Sequence, residues 1–312
     1  MNAINAINNI HDIAQTRSTK IYNPRTDPFA LSDENFKGRY RFTKTTVKKI
    51  VAMTMEDIKL EKRGCGTSPE LQVLVALRCW GRREAQDDAA ELHGLTQPTV
   101  SRICARVARA LARHAREKIK MPSNLSEEQE VMREFKAIKN FPGIIGAIDG
   151  THIKIKKTGG SLAQYYINRK GYYSLNIQVV CDANLKIRDI VARWRGSTHD
   201  CRIFNESNIK ERFENKDFRG RLLGDSGYKL QPYLFTPLLR PQSEKEIKYN
   251  KAHIATRNTV ERCFGVWKQR FRCLLDGLTV SLENGKTLII ALAVLHNIAV
   301  EEKDTTPGKK II

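Results

Sequence analysis

Asp149, Asp200, Asp225 and Glu261 are the residues of this 312-residue chain whose types and placement could do chemistry. Asp149 ends the apolar run FPGIIGAIDG, Asp200 closes RWRGSTHD, Asp225 follows RLLGD, and Glu261 lies in the helical stretch NTVERCFGVWKQRF. Carboxylates at the ends of apolar runs in a basic chain call for an explanation. Two divalent cations about 3.5–4 Å apart, one at an attacking water and one at a leaving oxygen, hydrolyse a phosphodiester. Three or four Asp or Glu suffice to hold them, so Mg²⁺ or Mn²⁺ is the expected cofactor. Taken singly the acids say less. An Asp after a strand is more often a cap or turn residue, and Asp182 in CDANLK is read that way. Glu261 alone could be a surface partner of Arg257 or Arg262.

The elements that must position these acids follow from periodicity. Residues 1–30 are polar, repeat Asn-Ala-Ile locally and read as a flexible arm. From Leu31 to about Met121 the pattern is helical: RYRFTKTTVKKIVAM, PELQVLVALRCWG, EAQDDAAELHG and TQPTVSRICARVARALARHAREKI. MPSNLS reads as a linker, and Ser126 with Gln129 as a capping box opening a helix to about Lys139. Three strands are expected in IIGAIDGTHIKIKK, SLNIQVVCD and KIRDIVARWRG, the last two joined as a hairpin at Ala183-Asn184-Leu185. CRIFNESNIKERFE reads as helix, RGRLLGD as a short strand, and PYLFTPLL, RNTVERCFGVWKQRFRCLL and NGKTLIIALAVLHNIAV as helices. Residues 301–312 read as a loose tail. The expected architecture is a helical region over 31–121, then a mixed sheet flanked by helices over 126–300. In the long helix Val260, Phe264, Trp267 and Phe271 form a docking stripe, which sets Glu261 at its edge, facing the strand ends.

The helical region carries a second signal. Gly94 ends one helix, Thr96 stands where it can cap the next, and Pro98 lies in that helix's first turn. Val100, Ile103, Val107 and Leu111 form its buried stripe, and Arg102, Arg106, Arg109 and Arg113 its opposite face. That is a helix-turn-helix pattern. Gln97, Thr99, Ser101 and Arg102 would reach base edges and the later arginines phosphates. An ordinary solvated basic face is the rival reading.

With 54 Lys and Arg against 34 Asp and Glu, the net charge is +20, which points to a polyanion, DNA or RNA before a membrane surface. The longest apolar run, IIALAVLHNIAV, is too short to span a bilayer. Seven scattered cysteines without CxxC spacing read as reduced thiols. The start MNAINAINNIHDIAQ lacks the pattern of a secretory signal. No Walker-type loop and no GxSxG is present, which excludes the usual nucleotide and serine hydrolases.

The stretches GAIDGTHI, YYINRKGYYSLNIQVVCD, WRGSTHDCRIF, LLGDSGYKLQPYLFTPL and YNKAHIATRNTVERCFGVWKQRFRCL together resemble the Harbinger transposase-derived nucleases and the related PIF/Harbinger transposases, of the DDE superfamily. The resemblance runs over about residues 40–300. It implies an RNase H-like catalytic fold, divalent metal and nuclease chemistry on DNA, with Asp149, Asp225 and Glu261 catalytic and Asp200 completing the metal shell. It also implies a Myb-like partner for DNA targeting and nuclear import. A nuclear protein with a cytoplasmic pool is therefore expected, and a homo-oligomer is compatible with the reading. Asn168, Arg169 and Lys170 could grip phosphate, with Tyr165, Tyr166, Tyr172 and Tyr173 nearby to stack on unpaired bases. His199 could orient a phosphate or a water, though a structural hydrogen bond is the plainer role. His152, three residues past Asp149, falls on the opposite strand face and reads as structural. Two rivals to a DNA endonuclease remain at this point: a domesticated transposase kept only for binding, and an RNA-directed nuclease.

Overall fold

The computed structural model describes residues 27–59, 66–82, 85–157, 159–160 and 163–304. Of the expected arm, residues 1–26 lie outside these. Residues 27–30 are ordered: Asp27 caps a 3₁₀ turn over Pro28–Ala30 by accepting from the Phe29 N–H at 2.9 Å.

The stretch RYRFTKTTVKKIVAM divides into two helices, α1 (Asp33–Tyr40) and α2 (Lys44–Ile58). Arg41 turns left-handed at φ +68°, and Thr43 starts α2 by accepting from the Thr46 N–H at 3.2 Å. A threonine side chain offers the backbone this alternative to continuing a helix. Helices α3 (Pro69–Gly81), α4 (Gln86–Leu92), α5 (Gln97–Arg113) and α6 (Ala115–Lys118) follow. Gly94, at φ +60°, makes the turn between α4 and α5. Helix α7 (Leu125–Lys139) starts one residue before the expected Ser126. Asn124 comes first in the chain, and its side chain accepts from the Glu127 N–H at 3.0 Å.

Strands β1 (Ile144–Lys154), β2 (Ser174–Cys181) and β3 (Ile187–Arg195) form an antiparallel meander. The β2–β3 turn is the expected hairpin. Asp182 accepts from the N–H groups of Asn184 and Lys186, both at 2.9 Å, and Leu185 sits at φ +67°. The helix expected over CRIFNESNIKERFE is interrupted into α8 (Asp200–Asn205) and α9 (Asn208–Glu214), because Ser207 caps the second. Strand β4 (Arg221–Leu223) then runs parallel to β1. Its approach is pinned by buried Glu128 of α7, which accepts from the N–H groups of Arg219 at 2.9 Å and Gly220 at 3.0 Å.

PYLFTPLL, expected as helix, is instead a strand: β5 (Leu234–Phe235) lies parallel to β4. Prolines 232 and 237 bracket it and oppose a helix, while the β4 edge offers unpaired backbone. The sheet order is β3-β2-β1-β4-β5, a mixed sheet with β1 at its centre.

Helix α10 (Glu244–Arg270) begins well before the expected start, at a Ser243–Glu246 capping box. Trp267 and Phe271 are fully buried, so the stripe does dock the helix. Truncating Trp267 would cost roughly 3–5 kcal/mol and loosen the helix that carries Glu261. After α11 (Cys273–Asp276), helix α12 (Leu282–Glu301) is buried almost all round from Leu288 to Ala299. Such a helix needs partners on more than one side. It finds them in β3 and in α5, so the helical region and the sheet share one core.

The expected loose tail is tied down through residue 304. Asp304 accepts from the Thr43 N–H at 2.7 Å and pairs with Lys37 at 2.9 Å; residues 305–312 lie outside the described part. Among the described residues no helix is long and apolar enough to cross a membrane. Cys79, Cys104, Cys181, Cys201, Cys263 and Cys273 are free thiols; Cys65 lies outside the described residues.

Candidate active site

Strand register brings two of the acids together where β4 ends beside β1. Ala147 pairs with Leu223 across the parallel strands β1 and β4. Asp149 and Asp225 each lie two residues further along, Asp149 within β1, where it pairs with Val179 of β2, and Asp225 just past the end of β4. The Asp149 side chain meets α10: its Oδ2 accepts from Arg257 Nη1 at 3.0 Å, and its Oδ1 from the Gly150 N–H at 2.8 Å. Arg257 Nη2 donates to Glu261 Oε1 at 2.6 Å, so one guanidinium bridges both carboxylates. Glu261 sits one helical turn beyond Arg257 with its side chain 53% exposed. Asp225 accepts from the Gly227 N–H at 2.9 Å.

Asp200 approaches β1 from the other face. It opens α8 and lies directly over Gly150, where a Cβ would stand 2.2 Å from its Oδ1, so only glycine fits there. Asn176 of β2 donates to Asp200 Oδ1 at 2.7 Å and to the Thr198 carbonyl at 2.9 Å. Asn176 pairs with His152 in the β1–β2 register, on the strand face that Gly150 shares.

Burial raises the Asp149 carboxyl to about 6. The Gly150 N–H and Arg257 oppose that shift, and the charges of Asp225 and Asp200 add to it. Crowded carboxylates with oxygen donors only are what a hard divalent cation relieves, so the residue chemistry fits Mg²⁺ or Mn²⁺. Among the described residues, however, no group of three or more His, Cys, Asp or Glu is arranged to hold a metal ion. Arg257 supplies the positive charge between Asp149 and Glu261 instead.

Cations line the next part of β1. Lys268, seven residues past Glu261 on the same helix face, donates to Thr151 Oγ1 at 2.6 Å and to the His152 carbonyl at 3.2 Å. Burial, and to a lesser extent the charge of Lys170, lowers its ammonium to about 8. The His152 imidazole is lowered by burial. Asp200 opposes that shift, while Arg169, Lys268 and Lys170 reinforce it. His152 also shares a 3.1 Å hydrogen bond with Ser174 Oγ, a structural role.

Arg169 and Lys170 are exposed on the loop after a 3₁₀ turn at Ala163–Tyr166. Asn168 is not free to grip phosphate. It is buried, accepts from the Lys170 N–H at 2.9 Å and donates to Ser174 Oγ at 3.1 Å, which shapes the loop. Of the four tyrosines only Tyr165 is exposed, with the Arg195 guanidinium 5.3 Å from its ring centre. Tyr166, Tyr172 and Tyr173 are half-buried. His199 is exposed at the start of α8 and makes no cap hydrogen bond.

Helix α5 buries Val100, Ile103, Val107 and Leu111 as the spacing requires. Thr96 stands at the N-cap position, but its hydroxyl bonds the Thr99 hydroxyl at 2.9 Å instead of capping. Gln97 is exposed and donates to Gln86 Oε1 at 2.8 Å. Ser101, Arg102 and Arg109 are exposed. Arg106 is half-buried and donates to Gln72 Oε1 at 2.7 Å, and Arg113 pairs with Asp57.

Sequence reasoning passed over Asn176, Lys268 and Gly150. Lys268 was readable from its spacing, at i+11 from Arg257 and i+7 from Glu261. Asn176 and Gly150 carry no local signal, because their roles depend on strand register.

Residues 148–297 match the family described as DDE superfamily endonuclease, a span that holds all four acids but not α5. The chain is 34% identical over 279 residues to the Homo sapiens protein named "Putative nuclease HARBI1", covering 87% of this chain and 79% of that one. The Xenopus laevis protein of the same name is 33% identical over 244 residues, covering 77% and 70%. An Arabidopsis thaliana protein named "Protein ALP1-like" is 26% identical over 313 residues, covering 93% and 75%. No solved structure matches the chain.

Proposed function

The chain belongs to the Harbinger transposase-derived nucleases of the DDE superfamily, and we propose that it is a metal-dependent DNA endonuclease whose site is the acidic end of the sheet. The observation that carries this reading is the parallel register that sets Asp149 and Asp225 side by side, with Asp200 against the neighbouring Gly150. Asp149, Asp225 and Glu261 would hold the cations, with Asp200 assisting. When bound, two divalent cations supply charge at the attacking water and at the leaving oxygen of the phosphodiester.

The chain's own residues do the rest. Asp149 must be ionised to act as a ligand, which its raised carboxyl permits above about pH 6. Arg257 must release Asp149 and Glu261, after which its guanidinium is free for a phosphate oxygen. Arg169 and Lys170 lie exposed beside Lys268 and His152, where they can grip the strand backbone. Exposed Tyr165 offers a face for an unpaired base. Ser101, Arg102 and Arg109, with Gln97 and Thr99 at the helix start, would face duplex DNA, and Arg106 and Arg113 would join only by leaving Gln72 and Asp57. The reading also includes a Myb-like DNA-binding partner and nuclear action with a cytoplasmic pool.

A second reading has one observation in its favour. Arg257 already neutralises Asp149 and Glu261, as in a protein kept for DNA binding with its nuclease silent. Supercoiled plasmid incubated with the protein in Mg²⁺, Mn²⁺ or EDTA, beside Asp149→Asn, separates the two. Nicking that needs both metal and Asp149 supports the endonuclease. Salt-sensitive binding without nicking supports the silent protein.

A further inference from the structure

We propose, on the acidic-site reading given above, that the loop from Ala163 to Tyr173 is a subsite for an unpaired base, so that the DNA this site takes is a duplex interrupted beside the cut and not a continuous one. The loop is built before any DNA arrives. Asn168 and Gly171 stand at the first and fourth positions of a tight turn, where asparagine and glycine are favoured. The Gly171 N–H closes that turn on the Asn168 carbonyl at 2.9 Å, with Gly171 at φ +80°. Just outside it Ile167 and Tyr173 pair as an isolated antiparallel bridge. Arg169 and Lys170 are left exposed at the tip.

The turn ahead of it is held as firmly. The Tyr165 carbonyl accepts from Ser197 twice, from its N–H at 3.2 Å and from its hydroxyl at 2.7 Å. Gly196 packs so close that a Cβ there would stand 2.5 Å from the Tyr166 carbonyl and 2.3 Å from Ser174 Oγ. The Arg195 guanidinium lies 5.3 Å from the Tyr165 ring centre and 5.9 Å from that of Tyr166. Yet Tyr165 is 45% exposed and Ile167 36% exposed. A rigid backbone that keeps a tyrosine ring and an isoleucine in water, beside exposed cations, suits a partner that is apolar on its face and anionic along its length. A continuous duplex hides its base faces in the stack. An unpaired base offers one, with phosphates on either side.

The anchors place this loop next to the acids. Ser174 Oγ holds Asn168 and His152, each at 3.1 Å. His152 is three residues past Asp149 on β1, about 10 Å along the strand, which is roughly three nucleotides of one DNA strand. From the other side, Thr198 follows Ser197, and Asn176 donates both to the Thr198 carbonyl at 2.9 Å and to Asp200 at 2.7 Å. A strand whose phosphate lies at the acids would therefore bring a nearby base to Tyr165.

Two DNA probes of one sequence test this: a continuous duplex, and the same duplex with a run of unpaired thymines in one strand. The full chain, Tyr165→Ala and Tyr165→Phe are titrated with each in EDTA, and the parent's cleavage of each is followed in Mn²⁺. The parent is expected to bind the interrupted duplex roughly 10-fold more tightly, the worth of about one stacked base. Tyr165→Ala loses that preference, and Tyr165→Phe, which keeps the ring, retains it. A Tyr165→Ala protein that melts below the parent passes the decision to Tyr165→Leu, which keeps the bulk without the aromatic face. Equal binding of the two probes by the parent overturns the proposal. So does a preference that survives in Tyr165→Ala, an affinity lost on both probes alike, or a preference lost in Tyr165→Phe as well, since the ring face is then not what binds. Metal-dependent cleavage with equal binding of the probes leaves the acidic-site reading standing, and only the subsite falls. No cleavage of either probe, with the preference present in the parent and lost in Tyr165→Ala, supports the subsite in a protein whose nuclease is silent.

Discussion

The acidic end of the sheet and the basic face of α5 are both clusters of like charge, and they are built in opposite ways. At the sheet end, Asp149 and its partner Arg257 are largely buried, and Asp149 is held to about 6 by burial and by the neighbouring aspartates. On α5, Arg102 and Arg109 stand exposed, while Arg106 and Arg113 are committed to Gln72 and Asp57. Exposed charges of one sign cost a fold little, because water screens them. Buried carboxylates beside one another cost it a good deal. A cluster that persists against that cost is stronger support for a working site than one that costs nothing.

The largest test of this contrast is Asp149→Asn. Cleavage is expected to fall well beyond the 10–100-fold that outer-shell partners are worth. Stability should move the other way. The folded carboxyl titrates near 6, above its ordinary 3.8. The contribution of Asp149 is therefore fully present below pH 3.8 and is lost as pH rises through 6. The loss is on the order of 1–3 kcal/mol. Asn removes it, so the metal-free variant should resist urea better than the parent above pH 6. A variant less stable at pH 8 would mean that Asp149 is structural.

Arg257→Gln comes next. It removes the charge that opposes the upward shift of Asp149, which is left buried and unneutralised wherever it is ionised. Metal-free stability at pH 8 should fall by roughly 1.5–3 kcal/mol, the worth of a hydrogen bond to a charged group. The fall should shrink below pH 6, where Asp149 takes up a proton, and Mn²⁺ should restore stability. The half-exposed Glu261 arm of the bridge contributes little. A fall independent of pH would break the link between Arg257 and Asp149.

A smaller effect is expected at Lys268. Its ammonium titrates near 8 in the fold against an ordinary 10.5. Stability is therefore reduced below pH 8 and recovers as pH rises from 8 to 10.5. Lys268→Met should flatten that rise, by about 1–2 kcal/mol across the window. Urea midpoints at pH 7.5 and 10 would measure it, and a slope unchanged in the variant would assign the rise elsewhere.

What could be read in the sequence divides along the same line as the two clusters. Strand alternation and turn residues gave β1 to β3, their hairpin at Asp182, and the short strand ahead of Asp225, because those signals are local. The docking stripe of α10 was local too, and with it the place of Glu261 at the helix edge. PYLFTPLL misled because its strand exists only where the β4 edge receives it. The packing of Asp200 on Gly150 and its hold by Asn176 were invisible for a similar reason: both depend on which β1 and β2 residues face one another. Periodicity could mark the basic face of α5 but not that Arg106 reaches a glutamine 34 residues away.

That last point gives the smallest and most selective test. If α5 binds DNA through phosphates, Arg109→Ala should weaken binding alike across sequences and lower the salt slope by about 1, one lost phosphate contact. Arg106→Ala should leave the slope nearly unchanged, since Gln72 already holds that guanidinium in the free protein. Its cost should appear in stability, at roughly 0.5–1.5 kcal/mol for the lost hydrogen bond. Binding measured from 50 to 200 mM salt, with urea midpoints for both variants, would resolve the pair. Equal slopes for parent and Arg109→Ala would make the exposed stripe an ordinary solvated face and move DNA binding to the loop of Arg169 and Lys170. A slope lost in Arg106→Ala as well would mean that DNA draws that arginine away from Gln72, so that α5 is remade on binding.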